Sequence, residues 1–163
     1  VEKHIDVSEG DFELIKGCGC EMKEFEGEGS FVDAVFSSPP YYLNAEPYAS
    51  ESPLDLCNMG IEEFDSRIDL MFKNLKRVIK KSDYKKKIFH PIMMVVGTAR
   101  DAENGIQDMS FTFQQLAKKH GLVLWDVMHL ELNNPHLVCS LNRNYEFKFT
   151  HKSHETQLTW VRF

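Results

Sequence analysis

The run Val32-Asp33-Ala34-Val35-Phe36-Ser37-Ser38-Pro39-Pro40-Tyr41 constrains this chain more than any other stretch. Val32, Ala34, Val35 and Phe36 read as a short apolar strand of the kind buried inside a parallel sheet, and two consecutive prolines end it abruptly. Proline fixes its own φ and keeps the residue before it out of the α region. Ser38 and Pro39 are therefore held extended, and Pro40 and Tyr41 are expected to project past the sheet edge. In open α/β sheets that edge is where ligands bind.

The rest of the chain supplies the sheet for such a corner. Ile61, Phe64, Ile68, Leu70, Met71, Leu75, Val78 and Ile79 recur at helical spacing behind acidic Glu62 and Glu63, which predicts a helix over 61–80. Ile88 to Gly97, with its Ile92-Met93-Met94-Val95-Val96 centre, reads as a buried strand. Phe111 to His120 reads as a second helix closed by Gly121. Leu122 to Leu132 follows as a strand, and Tyr145, Phe147 and Phe149 alternate with polar residues as a final half-exposed strand. Alternating strands and helices predict an α/β, doubly wound sheet with a hairpin-like pair at its C-terminal end. At 163 residues the chain has the length of one domain able to bury a core, and a single domain over 1–163 is expected. Residues 44–59 form the longest irregular loop. Placed directly after Tyr41, it either covers the active site or contacts DNA, or is an ordinary surface connection.

Several classes are disfavoured. No apolar run approaches the ~20 residues of a membrane span, and Val1 to Gly10 is charged and lacks the apolar core of a signal peptide. Cys18, Cys20, Cys57 and Cys139 form no C-x-x-C pair and the seven histidines fall at no zinc-ligand spacing, so no metal is expected. Reduced thiols and a cytoplasmic location are the simplest reading of the cysteines. The net charge of −6 is unusual for a protein that meets phosphates, although distribution matters more than the sum. Lys73, Lys76, Arg77, Lys80, Lys81, Lys85, Lys86 and Lys87 form a basic run, read as a solvated helix face with cations near its C-terminus, with a DNA backbone contact as the alternative.

The chemistry open to the corner follows from its atoms. Ser38 offers a hydroxyl oxygen and the Pro39 carbonyl a second acceptor, while Tyr41 offers a flat amphipathic ring. The exocyclic amine of a nucleobase is a poor nucleophile because its lone pair is delocalised into the ring, and two acceptors on its N–H groups localise that pair. A base buried in duplex has to be flipped out to reach them.

Ser38-Pro39-Pro40-Tyr41 after an apolar strand resembles motif IV of the DNA amino-methyltransferases, which form N4-methylcytosine or N6-methyladenine with S-adenosylmethionine. Two further stretches stand in the expected order. Ile5 to Lys16 resembles the strand, Gly-Asp turn and helix start that precede motif IV. Asn133-Asn134-Pro135 with Asn142-Arg143-Asn144-Tyr145-Glu146 and the alternation ending at Thr150-His151-Lys152 resembles the motif VIII region. The resemblance implies a Rossmann-like S-adenosylmethionine-dependent methyltransferase fold, mostly parallel with a C-terminal antiparallel strand. It implies Ser38, Pro39, Pro40 and Tyr41 as catalytic residues, Tyr42, Asn142 and Arg143 beside the target base, and Asp11 and Ser37 near the cofactor. Its partner is DNA. The Ser form of the motif leans towards cytosine, with adenine as the alternative.

A complete member of this family also carries an F-x-G-x-G-like glycine loop between a strand and a helix. Phe25-Glu26-Gly27-Glu28-Gly29 has the letters without the context: no apolar strand precedes it and no helix fits before the Val32 strand. In permuted members the glycine loop follows motif VIII, so this chain resembles the catalytic half, with the cofactor half truncated, carried by a second polypeptide, or lost. A non-catalytic methyltransferase-like subunit or binding module stays open beside the enzyme, as does an RNA or protein methyltransferase using the same acceptor geometry.

Overall fold

A computed structural model of the chain describes residues 14–27, 29–40, 52, 53, 55–101, 105–131 and 154–163. Their elements, in order, are β1 (Val35–Ser37), α1 (Ile61–Val78), β2 (Pro91–Val96), β3 (Thr98–Asp101), β4 (Gly105–Asp108), α2 (Met109–Lys119), β5 (Val123–Glu131) and β6 (His154–Val161). Four of the strands form one sheet in the order β1-β2-β6-β5, and β3 and β4 pair as a separate antiparallel ribbon. β1 and β2 are parallel, while β6 runs antiparallel to both β2 and β5. Thus β1, β2 and β5 point one way and only β6 opposes them, which is the α/β sheet with a C-terminal antiparallel strand that the sequence predicts. That strand is His154–Val161; the alternation at 145–149 lies outside the described residues.

α1 forms where its apolar period lies, with Phe64, Ile68, Met71, Phe72, Leu75 and Val78 buried, Glu62 and Glu63 in the first turn and Lys76 and Arg77 in the last. It stops at Val78, two residues before the predicted end, because Ile79 turns extended and makes a parallel bridge to Val32. β1 starts later than predicted for a related reason. Asp33 accepts from Lys80 Nζ at 2.8 Å and the Asp33 carbonyl lies 3.1 Å from His90 Nδ1, so the chain bends between the Val32 bridge and Val35. α2 begins at Met109, ahead of Phe111, because the Asp108 carboxylate accepts from the Ser110 N–H at 3.0 Å and the Phe111 N–H at 3.4 Å and so caps the helix. Gly121, at φ +73°, carries the chain out of it.

Both helices pack on the same face of the sheet, so the doubly wound arrangement is not seen among the described residues. Trp160 of β6 meets Phe72 of α1 at 5.2 Å between ring centroids, and Phe113 of α2 meets Phe72 at 5.7 Å and Phe64 at 6.4 Å. Ile92 and Met94, in register with Trp160 and Leu158, complete this buried layer. The helices are also tied at one end, where Asp69 accepts from Lys119 Nζ and pairs with His120 Nε2, each at 2.8 Å.

Candidate active site

The N-terminal segment forms one wall of a cleft because α1 holds it there. Arg67, Asn74 and Arg77 are spaced by seven and three residues and share a helix face. Arg67 Nη1 donates to Glu21 Oε1 at 2.8 Å, and Asn74 Nδ2 donates to the carbonyls of Cys20 at 2.8 Å and Glu21 at 2.9 Å. Arg77 donates to the Phe25 carbonyl, and to that of Met22 at 3.4 Å. The Lys23 ammonium, with the Arg67 guanidinium, holds the Glu21 carboxyl below the usual carboxylate range. These bonds fix a wall that includes Met22 at φ 50°, in the left-handed region. Burial pushes the Cys20 thiol up to about 11, with the nearby Cys18 sulfur adding to the rise. Cys20 therefore stays protonated at neutral pH.

Opposite this wall, β1 ends in the Ser37-Ser38-Pro39-Pro40 corner. The two sides, with Met71 and Leu75 of α1 below them and Asp55 and Leu56 at the rim, enclose a cleft of about 950 Å³. That size suits a cofactor or a nucleobase. Ser37 lies in register with Met94, so it sits on the helix-covered face, while Ser38 continues past the last paired residue. The Ser38 hydroxyl donates to the Val95 carbonyl at 3.4 Å. With its hydrogen directed there, its lone pairs remain as acceptors. Pro39 is buried and Ser38 exposed, so the stiff proline anchors the corner while the hydroxyl stays accessible.

Of the residues singled out from the sequence, Ser37, Ser38, Pro39 and Pro40 come together at this cleft. Asp11, Tyr41, Tyr42, Asn142 and Arg143 lie outside the described residues. The sequence reading missed the opposite wall, whose signal was the pair of large polar residues Asn74 and Arg77 at helical spacing on α1. The glycine pattern opens in a turn at residues 26–27: a 3-10 segment over Lys23–Phe25 leads to Gly27 at φ +83°, and the Phe25 ring packs on Phe31 at 5.4 Å. The basic run also divides differently from its prediction as a helix face. Only Lys73, Lys76 and Arg77 lie on α1; Lys80, Lys81 and Lys85 to Lys87 follow it. Among the described residues no group of three or more His, Cys, Asp or Glu is placed to hold a metal ion. No described helix is long and apolar enough to cross a membrane.

No protein-family model matches the sequence, and no curated protein does. Solved structures do match. TTHA0409 from Thermus thermophilus, assigned as a DNA modification methylase, superposes on 90% of this chain with a TM-score of 0.59 and 17% identity, over 50% of its own length. The same protein complexed with S-adenosyl-L-methionine superposes on 90% of this chain with a TM-score of 0.58 and 18% identity, over 53% of its length. The fold is that of the DNA modification methylases. The present chain spans about half the length of the methylase structures it matches. Within that half, the corner that resembles motif IV stands at the carboxyl end of β1 and opens into the cleft; β1 is the edge strand of the described sheet, with Ala34 and Phe36 exposed, and not the buried strand that its apolar residues predict.

Proposed function

We propose that this chain is the target-base half of an S-adenosylmethionine-dependent DNA methyltransferase, acting on the exocyclic amine of a flipped base, with N4 of cytosine favoured over N6 of adenine. The observation that carries the reading is the accessible Ser38 hydroxyl, turned by its bond to Val95 so that its lone pairs can accept, on a proline-stiffened corner beside a cleft. In this mechanism Ser38 Oγ and the Pro39 carbonyl accept from the amine N–H groups and localise the nitrogen lone pair for attack. Tyr41 stacks on the flipped base and offsets part of an unstacking cost of a few kcal/mol. Asn142 and Arg143 are proposed beside the base, with Tyr42. The amine loses its proton after transfer, so no base of raised pKa is required.

The cleft fits the proposed cofactor in its chemistry. Met22, Leu56 and Met71 offer an apolar bed for a purine, and Ser37, with Asp55 at the rim, offers polar groups for a ribose; Asp11 is proposed near the same group. S-adenosylmethionine supplies an electrophilic methyl group, and the residues of this chain position its acceptor. The complex of TTHA0409 with S-adenosyl-L-methionine supports this choice by analogy of fold.

The decisive experiment measures transfer of labelled methyl to DNA, with the glycine-loop half supplied on the same or a second polypeptide. Tyr41→Ala should lower the rate by tens of fold, in line with ~1–3 kcal/mol for base stacking, while circular dichroism stays unchanged. An unaltered rate removes Tyr41 from the mechanism. A second reading, a non-catalytic methyltransferase-like subunit, is favoured by one observation: the glycine pattern of the right letters, Phe25 to Gly29, opens in a turn after a 3-10 segment and not between a strand and a helix.

A further inference from the structure

At the opposite end of the sheet from the candidate active site, four aromatic side chains from three stretches of the sequence meet at the surface. Tyr84, Phe89, Trp125 and Phe163 are 66%, 38%, 45% and 43% exposed. Trp125 is the hub: its ring lies 5.2 Å from Phe89, 5.9 Å from Tyr84 and 5.7 Å from Phe163. It occupies this place because it is the extra residue of a β-bulge, the register with β6 slipping between Leu124 and Asp126. Bulges re-aim side chains in this way.

Lysines flank the aromatic cluster. Asp83 and Ile88 bridge through Asp83 N–H to Ile88 carbonyl at 2.8 Å and the reverse bond at 3.1 Å, which closes a tight loop over Tyr84-Lys85-Lys86-Lys87. Lys87 sits at φ 56°, a conformation usually left to glycine or asparagine. Ser82 N–H donates to the Arg162 carbonyl at 2.6 Å, which brings this loop beside Phe163. A second cleft of about 580 Å³ is lined here by Lys81, Lys85 and Lys86, with Tyr84 and His90. Lys80 pairs with Asp33 and Lys86 with Asp83; Lys81, Lys85 and Lys87 have no anionic partner among the described residues.

We propose that this lysine loop and aromatic cluster form a binding surface for single-stranded nucleic acid, separate from the candidate active site. The exposed rings offer stacking faces to unpaired bases, and the uncommitted lysines offer cations to the phosphates between them. In a chain of net charge −6, so local a cationic concentration is complementary to a polyanion. A two-fold contact between copies of the chain through the same cluster would bring like-charged lysine loops together, which disfavours self-association as its purpose. β2 separates this surface from the Ser38 corner by about 15–20 Å at ~3.3 Å per residue. One strand segment therefore does not need to occupy both.

The test uses fluorescence anisotropy of a labelled twelve-residue oligothymidylate with the protein over a range of salt. Lys81→Ala, Lys85→Ala and Lys87→Ala combined should weaken binding and reduce the slope of log K against log salt by about two. Trp125→Ala should weaken binding by about tenfold with the slope kept, and Trp125→Phe should retain most of the affinity. Lys73→Ala, an exposed lysine on α1 outside the cluster, should bind as the parent does, which separates this surface from a general effect of removing a cation. The proposal is overturned if the lysine and Trp125 variants bind normally, if Lys73→Ala weakens binding as much as the combined lysine variant, or if polyglutamate displaces the oligonucleotide as well as unlabelled oligothymidylate.

Discussion

On the face of the sheet covered by α1 and α2, Ile92, Met94, Leu158 and Trp160 are at most 1% exposed, whereas Phe36, one residue from that layer on β1, is 67% exposed. Phe36 lies in register with Met93, on the face that no described helix covers. On β1 and β2 both faces are apolar, with Phe36 and Met93 on one and Ile92 and Met94 on the other, so hydrophobicity alone does not distinguish them there; on β6 it does, since Gln157 and Thr159 face away from Leu158 and Trp160. What differs is the cover. Two amphipathic helices turn one face into a close-packed core, and the other is left open at Phe36, although Val95 and Val161 on it are buried. The half of the methylase fold that this chain does not match is the natural place to look for what meets it.

This contrast between the faces can be broken most sharply through the core. Phe72 touches Trp160 and Phe113, so Phe72→Ala should cost about 3–5 kcal/mol in denaturant unfolding. A cost below about 1 kcal/mol would mean that the covered face does not carry the stability. A smaller effect is expected where the two helices are tied. The Lys119 ammonium, then the His120 ring, hold the Asp69 carboxyl below its usual range. A carboxyl with a lowered folded pKa contributes stability that is present above its unfolded value, about 3.9, and lost as pH falls through the folded value. Asp69→Asn should therefore destabilise the protein at pH 7 by about 1 kcal/mol or less and flatten the loss of stability between pH 5 and pH 2. An unchanged acid limb removes Asp69 from it. The smallest change belongs to the open face: Phe36→Ala should shift stability by less than about 0.5 kcal/mol. A loss several times larger would show that Phe36 is covered after all.

The sequence made most of the covered face legible. α1 announces itself through Phe64, Ile68, Leu75 and Val78, and β2 through its apolar run, because periodicity is a local property. The Ser37 to Pro40 corner was legible for the same reason: two prolines and a strand act on neighbouring residues. Boundaries were less so, since Ile79 leaves the helix to meet Val32, forty-seven residues away, and local pattern carries no word of that bridge. β6 was missed because the alternation of Leu158 and Trp160 with Gln157 and Thr159 is short, and the aromatic alternation at 145–149 outweighs it locally. The ribbon of β3 and β4 has no strong apolar period of its own. The opposite wall of the cleft depends on side-chain bonds from α1 to carbonyls more than fifty residues earlier. The aromatic cluster draws on three separate stretches of the chain, around 84–89, at 125 and at 163, so no window of sequence contains it.

The position of β6 has a consequence for how the molecule comes together. It follows every other described strand in sequence, yet it lies between β2 and β5 and is the only described element that hydrogen-bonds to both. During synthesis on the ribosome, α1, β2, α2 and β5 are all made before the strand that joins them, and β2 and β5 wait with unsatisfied edges, exposed to pairing with neighbouring chains. β6 thus acts as the keystone of assembly: closure of this sheet waits for it, and a chaperone that shields those two edges has its greatest value just before Trp160 emerges.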